Sequence, residues 1–345
     1  MPAAGARPYR PGMTSTTTRR PAGGGFIEAA GSGARSTHPL ATVPLTQIFY
    51  LIGLLPGVLL LGPALERMLG EETDPGIAIV LNALAVPLNY AFPYAVLWMW
   101  LRYYERRSFA STGFGFDRRT LPGLGWGTLL AIGYILAWIG VSLAAGTARF
   151  DRFADFSNGG AAGVLLVGAL VLVMRIVMVG IEEQLFRGWM LQAVGVRWGR
   201  AAGVLLSSAC FSLFHFFFIG NLILPGTSSH EAHWVLMLNI FLWAVFAALV
   251  TLVTGDLWAA TAFHAAALIL PSFLLTVALP AASAKGWPGT GDASGLLIVT
   301  VTDPTFYTGG AGFAGLFEGL PATAVLAVLA AAAWLRLRRK EHAAR

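Results

Sequence analysis

The stretch AAGVLLVGALVLVMRIVMVG (161–180) runs directly into GIEEQLFRGWM (180–190), placing two adjacent carboxylates and an arginine after an apolar run. Only Arg175 interrupts that run, and its length matches the roughly 20 residues that carry a helix across the hydrocarbon of a bilayer. Glu182 and Glu183 stand about 100° apart around a helix axis. Glu183 and Arg187, four positions apart, can pair on one face, which turns Glu182 toward a different neighbour. Two readings follow: a salt-bridged cap where the chain leaves lipid, or a site for chemistry.

The rest of the chain shows the solvent to be lipid. Of 345 residues, 56% are hydrophobic and 12% charged, and the mean hydropathy is +0.68. A soluble domain carries about 25% charged residues, so this chain lacks the polar surface to match one. Apolar segments recur at 42–63, 77–101, 121–145, 162–181, 201–220, 234–254, 257–280 and 320–335. Rich in Leu, Val, Ala and Gly without strict alternation, they predict an all-α polytopic bundle of about eight transmembrane helices and no barrel. The expected organisation is a disordered basic tail over 1–40, one transmembrane domain over 41–336 with its motif-bearing core at 160–275, and a basic tail over 337–345. No internal repeat is visible. Cys210 is alone, which excludes an internal disulfide and a thiolate metal cluster.

Charge predicts orientation. With an even number of spans, residues 1–41, 102–119, 187–200 and 336–345 share one side and hold eighteen Lys and Arg. The other side holds Arg67, Arg149, Arg152 and Lys285. This positive-inside bias puts both termini in the cytoplasm of what reads as a bacterial cytoplasmic membrane. The net charge of +6 is thus explained by topology and anionic lipid, with no nucleic-acid partner and no nucleotide-binding motif. The tail carries no cleavable signal pattern, because the first apolar run is long enough to remain as a span.

Two histidines lie within spans: His215 in CFSLFHFFFIG and His264 in LWAATAFHAAALIL. One buried histidine usually bridges helices. Two, beside a glutamate pair, can surround one polar cavity and share a water proton. Ionisable groups in a span face a bundle interior or a wet cavity, and Arg175 falls under the same rule. His38, His230, His233 and His342 lie in tails or loops. Asp256 after Gly255 marks a turn.

In this order and spacing, Glu182-Glu183-x-x-x-Arg187, Phe211-x-x-x-His215 and His264 resemble the CAAX prenyl protease and bacteriocin-processing family of intramembrane proteases. The resemblance covers roughly 160–275. It implies a helical bundle around a hydrated site in which Glu182 activates water together with His215. It also implies that Glu183 and Arg187 support that site, that Phe211 packs against it, and that His264 stabilises an oxyanion or positions substrate. The family places Asn or Asp four residues after the last histidine. Leu268 occupies that position here. A lost oxyanion donor costs roughly 3–4 kcal/mol, and Asn239 in the sixth span is the candidate substitute.

The residues thus point to an endopeptidase acting on a peptide or protein that reaches it from the membrane or the cytoplasm. No cofactor is favoured. Zinc on Glu182, His215 and His264 is the metal alternative, although no HExxH helix supports it. Leu268 keeps open a non-proteolytic scaffold or bacteriocin-immunity-type protein. A transporter has less support, because no inverted repeat is present.

Overall fold

A computed structural model describes residues 25–68, 75–153, 160–219, 233–273, 275–278, 297–302, 305, 307–309, 317 and 319–343. His230, Lys285 and residues 1–24 of the tail lie outside them. Among the described residues the chain is a helical bundle: α1 Pro39–Pro56, α2 Gly62–Met68, α3 Pro75–Met99, α4 Thr120–Ala144, α5 Gly160–Glu183, α6 Leu191–Trp198, α7 Arg200–Ile219, α8 Trp234–Thr254, α9 Trp258–Phe273 and α10 Leu320–Ala343.

Every apolar segment of the sequence overlaps one of these helices. Five are long and apolar enough to cross a membrane: Pro39–Leu65, Leu84–Glu105, Thr120–Ala144, Trp234–Thr254 and Leu320–Ala343. Arg200–Phe216 and Trp258–Pro271 are shorter apolar helices. The seventh segment, expected over 257–280, leaves helix at Phe273. Pro271 donates no backbone hydrogen bond, and the chain then enters a strand.

The packing is centred on α8 and α9. Some 67% of the α8 span is buried, against 17–39% for the other four. Gly255, in a left-handed conformation at φ 80°, closes α8 by donating to the Thr251 carbonyl, and Asp256 caps α9 by accepting from the Trp258 amide. That is the turn expected at this dipeptide. Ala259, Ala262, Ala265 and Ala266 of α9 are fully buried. A Cβ added at Gly127 of α4 would run into the Ala259 carbonyl, so small residues let α4 and α9 approach backbone to backbone.

One expectation is corrected and two features are added to the all-α bundle. The tail is ordered from Gly25: a 3₁₀ turn at Glu28–Ser32 buries Ile27 and Ala30, and Thr37 binds Glu105 through its amide and hydroxyl. The Pro- and Gly-rich composition concealed this because Phe26 and Ile27 find apolar partners on the bundle. The basic stretch from 337 continues α10 to Ala343, held where Lys340 donates to the Val253 carbonyl and Arg200 pairs with Glu341. Finally, the bundle carries a three-stranded sheet in the order β1 (Ala148–Phe153), β3 (Leu297–Val301), β2 (Leu275–Ala278). Strands β1 and β3 are antiparallel, from Ala148 opposite Val301 to Phe153 opposite Leu297, and β2 runs parallel to β3. These strands belong to inter-helix connections far apart in sequence, so no local pattern announced their pairing.

Candidate active site

The helix bearing the glutamates does not end at them. It continues through a π-helical stretch, Gln184–Met190, into α6, and every side chain from Val179 to Gly195 is buried. π-Helical turns inside α-helices are frequent at functional sites. The interfacial-cap reading therefore fails: Glu182 is 7% exposed, and Glu183 and Arg187 are fully buried.

Glu183 and Arg187 pair as their spacing requires, with Arg187 Nη1 3.3 Å from Glu183 Oε1. The same Oε1 lies 2.8 Å from His264 Nδ1. The Arg187 guanidinium sits 3.9 Å from the centre of the Phe211 ring and 5.4 Å from that of Trp243. Trp243, on α8, also packs edge-on against His264 at 4.2 Å. The supporting group is thus one layer of cation, carboxylate and aromatic faces drawn from the end of α5, the π-helical turn, α7, α8 and α9. Arg stacks on aromatic faces better than Lys because its cation is planar and weakly hydrated.

Glu182 turns the other way, toward α1. Its Oε1 accepts from the Tyr50 hydroxyl at 2.7 Å, and its Oε2 lies 3.9 Å from His264 Nε2. Tyr90 and Tyr94 of α3, Arg175 of α5, Arg187 and His215 are all close enough to interact with it electrostatically. Arg175 thus belongs to the bundle interior and is half-buried there.

Local partners set the state of each imidazole. His215 Nδ1 is 2.9 Å from the Phe211 carbonyl, which can only accept, so Nδ1 carries the proton and Nε2 of the neutral ring is an acceptor. His264 Nδ1 is held by a carboxylate already paired with Arg187, which leaves Nε2 as its working nitrogen.

Two readings of the polar residues change. Asn239 donates to the carbonyls of Phe317 and Gly319, at 2.6 and 3.1 Å, and accepts from the Thr323 hydroxyl at 2.5 Å. Both amide protons are committed to tying α8 to the start of α10, so Asn239 is not the substitute oxyanion donor. Leu268 is 48% exposed while His264 is 5% exposed, so an apolar group occupies the position of the family amide. For zinc, no three His, Cys, Asp or Glu side chains among the described residues form a set able to hold a metal ion.

Sequence reasoning missed Tyr50, Tyr90 and Tyr94. Their signal was the phenols in TQIFYLIG and NYAFPY, the latter pair four apart inside an apolar span. It also missed a second buried polar centre beneath the π-helical turn. There Glu105 accepts from Trp189 at 2.9 Å, Arg107 pairs with Glu105 at 2.5 Å, and Arg107 donates to Gln192 at 2.7 Å. Burial lowers the proton affinity of Arg107, and the Glu105 carboxylate opposes that effect. In sequence these residues are hidden in WLRYYERR, which reads as a topology signal.

No curated protein and no solved structure matches the chain. Residues 163–270, which carry Glu182, Glu183, Arg187, His215 and His264, match the family model Rce1-like, described as type II CAAX prenyl endopeptidase Rce1-like, in agreement with the resemblance carried by the motifs.

Proposed function

We propose that this integral membrane protein is an intramembrane endopeptidase in which Glu182 is the base that activates water. The observation that carries the reading is the division of labour between adjacent carboxylates. Glu183 is bound to Arg187 and His264, while Glu182 keeps its Oε2 facing a histidine nitrogen inside the bundle.

Water attacking the peptide carbonyl passes its proton to Glu182 Oε2, assisted by the acceptor nitrogen of His215. The oxyanion of the tetrahedral intermediate is met by His264 Nε2 when that nitrogen carries a proton. The proton held by Glu182 then goes to the leaving amine as the C–N bond breaks. A carboxylate held by fixed partners suits both transfers. With Leu268 in place of an amide and Asn239 committed elsewhere, the oxyanion has one side-chain donor fewer than the family pattern provides. Slow turnover is the expected consequence. Leu268 is also the observation that favours the second reading, a bundle of this shape without turnover.

The substrate is a peptide or membrane-associated protein reaching the site from lipid or cytoplasm. The setting is a bacterial cytoplasmic membrane with both chain termini on the cytoplasmic side. The test uses protein in proteoliposomes, given a peptide ending in a prenylated cysteine and a library of unmodified membrane peptides, with cleavage read by mass spectrometry. Glu182→Gln preserves volume and removes the base, so turnover is expected to fall by about two to four orders of magnitude. Equal cleavage by wild type and variant would sink the proteolytic reading. Loss of activity on chelation, restored by zinc, would replace the protein base with a metal.

A further inference from the structure

Beyond the family motifs, one side chain makes direct contact with the proposed base. Tyr50 comes from α1, outside the matched residues 163–270, and its hydroxyl donates to Glu182 Oε1 at 2.7 Å. It is 4% exposed. Its ring packs edge-on against Phe214 at 5.0 Å, one residue before His215, and lies 6.4 Å from Tyr90. A tyrosine in an apolar span would normally take its hydroxyl to an interface, where water serves as partner. Here the partner is a carboxylate in the bundle.

We propose that Tyr50 is a positioning residue for Glu182, a proposal that rests on the proteolytic reading above. A carboxylate has two equivalent oxygens and rotates about its last bond, so either can face the water. The Tyr50 hydroxyl ties down Oε1, leaving Oε2 as the oxygen presented toward His264 and the reacting centre. The α5–α9 core therefore contains the base, but α1 fixes its orientation. Of the remaining groups near Glu182, Arg175 from its own helix and Arg187 from the π-helical turn act through charge, while His215 from α7 and the uncharged phenols of Tyr90 and Tyr94 from α3 lie close by, Tyr90 in hydrogen-bonding contact with Tyr50. Each is distinct from the directed hydrogen bond of Tyr50.

Tyr50→Phe keeps the ring and deletes the donor. In proteoliposomes with the same peptides, kcat is expected to fall about 10- to 100-fold, the effect of losing one hydrogen bond to a charged group. KM should stay within about twofold, because the contact is to the base and not to substrate. A packing role would instead lower the unfolding temperature and leave kcat unchanged. A second readout is independent of turnover. The infrared difference between wild type and Glu182→Gln isolates the Glu182 carboxylate band, and Tyr50→Phe should displace it. An unmoved band, or an unchanged kcat, overturns the proposal. If Tyr50→Phe does not fold, 3-fluorotyrosine at position 50 gives a stronger donor of nearly the same shape and should move the band in the opposite direction. No movement there is equally fatal. If wild type and Glu182→Gln cleave equally, proteolysis itself fails, and the infrared band alone decides the Tyr50 contact.

Discussion

Glu183 shares one oxygen between His264 and Arg187, whereas Glu182 receives a phenolic hydroxyl and leaves its second oxygen toward the histidine. The same substitution should therefore have different consequences at the two positions. Glu183→Gln leaves a fully buried arginine without its counter-charge, and breaking such a pair costs about 3–5 kcal/mol. A large drop in denaturation midpoint is expected, with activity lost together with the fold. Glu182→Gln should lower turnover by about two to four orders of magnitude with little change in midpoint. Unfolding curves of the two purified variants in detergent check the contrast. Comparable stability would mean that the adjacent carboxylates are not divided between support and chemistry. The EExxxR spacing made the Glu183–Arg187 pair legible in sequence, because helix geometry alone brings positions four apart together. The partners of Glu182 were not legible, since they come from α1 and α9.

At the level of helices, the placement of His264 depends on how closely α9 packs on α4. Gly127 faces the Ala259 carbonyl, the Ala262 Cβ and the Phe263 amide, while nothing lies within 4 Å of a Cβ built at Gly125. Gly127→Ala must push α4 away from backbone that cannot yield and should cost about 1–3 kcal/mol. Gly125→Ala should be neutral or stabilise by up to about 1 kcal/mol through helix propensity. Thermal unfolding of the pair measures both effects, and equal behaviour would show that the α4–α9 contact does not limit packing. The sequence marked both glycines as residues of an apolar helix. Which one meets α9 was fixed by helix rotation, and composition carries no information about that. The sheet and the ordered residues 25–38 escaped for a related reason: their stability comes from partners on distant connections.

Across the whole molecule, the described basic segments meet at one end. Arg197 donates to the Ser36 carbonyl, Trp198 packs near His38, Arg200 pairs with Glu341, and Lys340 reaches the Val253 carbonyl. The sheet joins the connections assigned by charge to the other side. Single cysteines at position 5 and at Phe153, in a Cys210→Ala background, test the orientation with an impermeant maleimide. The tail site should label only from the cytoplasmic side and Phe153, 69% exposed on β1, only from the opposite one. Labelling of both from one side would overturn the even-span topology.

By itself the sequence determined that the chain is a helical membrane protein, and it identified which helices carry ionisable groups. Those properties are sums of local transfer free energies and of short helical spacings, so they can be read position by position. The tertiary structure decided that the glutamates lie buried within a continuing helix, that Glu182 is held by Tyr50 across 132 residues, and that His264 binds Glu183 across 81. It also decided that the amide of Asn239 serves the α8–α10 junction. Each of these depends on the rotation and approach of helices packed against one another. Those are set by the fit of whole surfaces, which no segment of the chain encodes alone.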